Sequence, residues 1–164
     1  MHTVSQIIIS TLLALLFPAL TAAQDVESSL SVLRELCIGS EARYCRPMGE
    51  DVGQCIHRQV TSIDLTASGL IIQGIHIQIF FGSELAQELN RDVLIQLRAA
   101  QFETNANVGV EMTCSVGNRP CVEVLDQQAI GRTFSGQSAI FMCSDPEAAL
   151  THITNIVSQL RSFE

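Results

Sequence analysis

Six cysteines stand in the chain in two groups of three: Cys37, Cys45 and Cys55 near the start, and Cys114, Cys121 and Cys143 near the end. Three is odd, so neither group can pair entirely within itself. If all six are oxidised, at least one bridge joins the two groups, whichever of the 15 possible connectivities holds. Closing so long a loop stabilises by roughly 4 to 5 kcal/mol in the chain-entropy picture. The first group is therefore expected to be stapled to the rest of the chain.

A disulfide framework requires an oxidising compartment, and the first residues supply a route to one. Ile7 to Phe17 is a short apolar run, Pro18 breaks it, and small residues follow at Thr21, Ala22 and Ala23. That is the pattern of a signal peptide over residues 1–23, cleaved before Gln24. The run is too short to span a bilayer, which takes roughly 20 residues. An exported product, periplasmic or extracellular, is expected, with no stable membrane insertion once the signal is removed.

All Asp and Glu residues lie beyond that segment, and the net charge is -8. Such a surface repels phosphate backbones, so nucleic acid is not expected as a partner. The chain contains no lysine, which removes Schiff-base and lysine-nucleophile chemistry.

Residues 24–60 read as a Cys-containing helical segment. Val26, Leu30, Leu33 and Cys37 recur at helical spacing after Asp25, a suitable cap. Ser40 to Tyr44 offers one more turn, Pro47 and Gly49 break the chain, and Asp51 to Val60 reads as a second short helix. Residues 61–164 read as an α+β domain of order β-β-α-β-β-β-α. Ile63 and Leu65 alternate with polar residues, Ser68-Gly69 is a turn, and Leu70 to Phe81 is a long strand with Ile75, Ile77, Ile79 and Phe81 on one face. Gly82-Ser83 then opens a predicted helix from Glu84 to about Gln101, with Leu85, Leu89, Val93, Leu97 and Ala100 as its buried stripe.

Val108 to Leu125 reads as a hairpin turning at Gly117-Asn118, with a cysteine on each arm. Gln127 to Gly136 reads as a loop and Gln137 to Cys143 as a strand. Ser144-Asp145-Pro146-Glu147 caps a terminal helix running to about Arg161. The expected architecture is an antiparallel sheet of about five strands with two helices packed on one face, preceded by the short disulfide-linked helical segment.

Catalytic signatures are sparse. No Cys-x-x-Cys pair marks redox chemistry, and no Gly-x-Ser-x-Gly elbow marks a serine nucleophile. His57, His76 and His152 are far apart in sequence, so no metal site and no cofactor is expected. Ser135 and Ser138 stand in a glycine-bearing stretch and define a less favoured reading as a small hydrolase.

The favoured reading is a non-enzymatic binder, inhibitor or assembly factor acting on another exported protein. Its expected contact is the hairpin tip Asn118, Arg119 and Pro120, where an arginine stands on an acidic chain. A Cys114–Cys121 bridge would make that tip rigid, although strand parity points the two sulfurs to opposite faces of one hairpin. The alternative is a self-associating structural subunit of the envelope or extracellular matrix that pairs through the Leu70–Phe81 strand.

Overall fold

A computed structural model describes residues 25–48, 53–105, 109–115, 120–126 and 133–162. The signal-peptide reading of residues 1–23 lies outside the described residues.

Helix α1 covers 25–37, as the periodicity predicts, and buries Leu30, Leu33 and Cys37 on one stripe. It ends where Gly39 takes a left-handed φ of 85°. From there to Met142 the described residues are almost entirely extended. Strands β1 (Glu41–Pro47), β2 (Gly53–Leu65), β3 (Leu70–Phe81) and β4 (Glu84–Gln96) follow, and a 3₁₀ turn (Leu97–Ala99) leads into β5 (Ala100–Asn105). Then come β6 (Gly109–Cys114), β7 (Val122–Asp126), β8 (Thr133–Gly136), β9 (Ser138–Met142) and helix α2 (Pro146–Ser162).

These strands build two antiparallel sheets, one in the order β1-β2-β3-β4-β7-β8 and one in the order β5-β6-β9. The fold is α+β, but with more strands than expected and in two sheets. The predicted helical turns between Ser40 and Val60 are the β1–β2 hairpin. Cys45 and Cys55 face each other across it in register and are bonded.

The predicted helix at Glu84–Gln101 is β4, the 3₁₀ turn and the start of β5. The reason is geometric: residues four apart share a face in a strand as well as in a helix. Leu89 and Val93 satisfy both periods, but Ile95, fully buried, satisfies only the period of two. Gly82-Ser83, read as a helix cap, is instead the two-residue turn between the paired Phe81 and Glu84, with Gly82 at φ 62°.

The Val108–Leu125 hairpin is also overturned. Both strands form, yet β6 pairs with β5 and β9 while β7 pairs with β4 and β8. The chain between them passes from one sheet to the other. It does so again at Leu97–Ala99 and at Gln137, so three crossings lie at one corner. Backbone bonds weld that corner: Gln96 N–H to Cys121 O at 2.9 Å, Cys114 N–H to Gln137 O at 2.9 Å, and Ser115 N–H to Ala99 O at 2.8 Å. The described end of the predicted Gln127–Gly136 loop is strand β8, held against β7.

Helix α2 starts where the sequence indicates. Its cap is Asp145, whose Oδ1 accepts from Ala148 N–H at 3.0 Å, with Pro146 in the first turn. Ser144 is otherwise engaged, donating from its backbone N–H and its hydroxyl to Leu36 O at the end of α1, each at 2.9 Å. Ala149, Ile153, Ile156 and Val157 are buried, and α2 contacts β5 and β6 of the smaller sheet. Of the two helices expected on one face of the sheet, only this one forms, since the other is β4.

The cysteines pair as Cys37–Cys143, Cys45–Cys55 and Cys114–Cys121. The first closes a separation of 106 residues and is the predicted staple. Among the described residues, no helix is long and apolar enough to cross a membrane.

Candidate functional site

Strand β3 organises the candidate surface. Alternation puts Ile71, Gln73, Ile75, Ile77, Ile79 and Phe81 on one face, as the sequence predicts for the last four. Along that row Ile71 and Gln73 are fully buried, Ile75 is half-buried, Ile77 is 7% exposed, and Phe81 at the far end is 41% exposed. The face that forms the core at one end of the sheet thus runs out uncovered at the other.

The cross-strand rows show what surrounds it. Ala42, Arg58, Ile77 and Leu89 form one row, and Tyr44, Ile56, Ile79 and Gln87 form the next on the same face. One row further out are Arg46, Gln54, Phe81 and Glu84. Tyr44 is 65% exposed, and Met48 and Leu85 are exposed beside this end of the sheet. The Cys45–Cys55 bond ties the edge strand β1 to β2 here.

The opposite face is polar and largely satisfies itself. His76 meets Asn90 Oδ1 through Nδ1 and Glu88 Oε1 through Nε2, both at 3.0 Å. Gln78 donates to the same Glu88 oxygen at 3.1 Å, and Gln59 donates to Glu41 at 3.0 Å. The His57 ring lies 4.9 Å from that of Phe80.

Three of the chain's nine basic residues, Arg43, Arg46 and Arg58, fall on β1 and β2. Arg46 Nε donates to Gln54 Oε1 at 2.8 Å, and Arg43 approaches Cys55 Sγ at 3.7 Å. None of the three makes an ion pair among the described residues. On an acidic chain this is a local concentration of uncompensated positive charge.

A cleft opens between the two sheets, with a volume of ≈ 320 Å³. The large sheet contributes Ala42, Arg58, Ile75, Val93, Val122 and Val124 to its wall. The small sheet contributes Glu111, Ser138, Ala139, Ile140 and Met142.

Of the predicted tip, Asn118 and Arg119 lie outside the described residues, and Pro120 is exposed immediately before Cys121. The Cys114–Cys121 bridge, left open by the sequence, is present. The parity objection dissolves because the two cysteines do not flank a single hairpin. Ser135 and Ser138 are exposed on β8 and β9, and among the described residues neither is hydrogen-bonded to a histidine. Among the described residues no three His, Cys, Asp or Glu side chains converge as metal ligands. The sequence pattern does not single out the surface formed by Tyr44, Arg46 and Phe81. Its trace there is Arg43, Tyr44 and Arg46 in close succession on a chain poor in both residue types.

No protein-family model matches the chain, and no curated protein and no solved structure matches it.

Proposed function

We propose that the chain is an exported, non-enzymatic binding protein that docks another protein on the uncovered end of its large sheet. The observation that carries this reading is the uncovered end of the β3 face, which leaves Phe81 and, on the edge strand of the same face, Tyr44 open to solvent. Tyrosine and arginine are among the residues enriched at interface hot spots, and Arg46 shares this face with Tyr44 and Phe81. The complementary partner is a segment combining apolar and acidic side chains.

Docking on the face, rather than strand addition at the edge, fits the composition of β1. Its outer edge carries Arg43, Arg46 and Pro47, which discourage pairing with another strand. The self-association alternative loses its original route, because β3 is interior to the sheet and paired on both sides. The disulfides add support for export, since three bridges suit an oxidising compartment.

A photo-crosslinking residue placed at Tyr44, with a control at the exposed Thr151 on α2, tests the reading. The expected result is a discrete adduct with one exported protein from position 44 alone, lost on Arg46→Glu. Equal adducts from both positions, or an adduct indifferent to Arg46→Glu, overturns it.

A further inference from the structure

The cleft between the sheets adjoins the sheet end along the Ala42 and Arg58 row, and its construction is that of a ligand site. Its volume of ≈ 320 Å³ lies within the range of small-molecule pockets, about 300–1,000 Å³, which are mostly apolar with a few placed polar groups. Here the body is aliphatic, with Ile75 and Val124 on one wall and Ile140 on the other. Both walls are fixed covalently. Cys121, bonded to Cys114, directly precedes the lining residue Val122, and Cys143, bonded to Cys37, directly follows the lining residue Met142. A cleft held open by two cystines loses little conformational entropy on binding.

The polar groups decide the ligand class. Arg58 stands on the large-sheet wall and Glu111 on the small-sheet wall, and neither has an ion-pair or hydrogen-bond partner among the described residues. An anionic head satisfies Arg58 but is repelled by Glu111. An uncharged head offers neither the exposed Arg58 nor the half-buried Glu111 a counter-charge. Only a head group bearing both signs complements the pair. We infer that this cleft takes a single-chain zwitterionic amphiphile of the phosphocholine type, bound as a monomer: the chain lies between the sheets, the phosphate on Arg58 and the ammonium towards Glu111.

A single concave site of this size suits one chain and not a bilayer surface, and the net charge of -8 gives no attraction to anionic membranes. The inference does not rest on the partner-docking reading, whose test uses Tyr44 and Arg46.

The test compares three amphiphiles of equal chain length, dodecylphosphocholine, laurate and dodecyl maltoside, each below its micelle concentration, on the oxidised protein. Titration is followed by calorimetry and by the methyl signals of Ile75 and Ile140. The expected result is one-to-one binding of dodecylphosphocholine, about tenfold tighter than either comparator, with shifts confined to the cleft. Arg58→Gln and Glu111→Gln should each remove most of that preference without weakening dodecyl maltoside. Equal affinity for all three heads, shifts outside the cleft, or binding to phosphatidylcholine vesicles without binding the monomer overturns the inference. The head-group comparison on the unmodified protein stands whether or not a variant folds.

Discussion

Cys114 and Cys121 are bonded to each other although the strands they adjoin belong to different sheets. The bond therefore closes the corner at which the chain passes between sheets, where Cys121 N–H also donates to Cys114 Sγ at 2.9 Å. A bridge that looks local in sequence, with a separation of 7, acts between layers.

The three bridges should differ in their weight. Removing Cys37–Cys143 by a paired serine substitution releases a separation of 106 residues, against 10 for Cys45–Cys55. Chain-entropy reasoning expects a loss of about 4 to 5 kcal/mol for the first and about 3 kcal/mol or less for the second. Guanidinium unfolding of the two double variants gives the order, and an equal loss for both rules this account out.

Gly109→Ala should be severely destabilising. Gly109 has φ 143°, and a Cβ there would run into the carbonyl oxygen of Phe141 on the neighbouring strand β9. Relief requires β6 and β9 to separate, at a cost of several kcal/mol, in the upper tail of single substitutions. Thermal unfolding monitored by circular dichroism reads the effect, and a change under about 1 kcal/mol contradicts the close approach.

Gln73→Met should stabilise. Gln73 is fully buried, and neither its amide oxygen nor its amide nitrogen has a hydrogen-bond partner. An unpaired buried amide costs roughly 1 to 3 kcal/mol, and methionine fills a similar volume without polar atoms. Denaturant midpoints of the two proteins should separate by about 1 kcal/mol or more in favour of the variant. A loss of stability shows that the amide is satisfied in solution.

Exposure along β3 predicts a graded response to truncation. Ile71→Ala, at the fully buried end, should cost about 2 to 5 kcal/mol, whereas Phe81→Ala, at the open end, should cost no more than about 1 kcal/mol. Equal losses at the two ends indicate that something covers Phe81 in solution.

What was legible from sequence follows from which signals are unambiguous. The Leu70–Phe81 strand, the terminal helix and helix α1 were readable because each has a single period and a clear boundary. The obligatory bridge between cysteine groups needed only arithmetic. Leu85, beyond a register shift, falls on the opposite face with Phe80, while Leu89 and Val93 misled because a spacing of four serves both helix and strand. Only the demand of β3 for a hydrogen-bonded neighbour on its second edge decides between them. That neighbour, β4, continues through the corner into the second sheet, and neither step leaves a local mark. The hairpin reading failed for the same reason, since Val110 and Met112 look inward whichever sheet they join.

The sequence distance within Cys37–Cys143 has a temporal meaning. During synthesis Cys37 emerges 106 residues ahead of its partner, and Cys45 and Cys55 reach it first. Because β6 is also closed on its second edge by β9, the small sheet and the long bridge are completed together, once Ser138 to Cys143 has been made. Until then the earliest thiol has only wrong neighbours, so correct oxidation is a matter of order of arrival and of the ability to undo a first pairing.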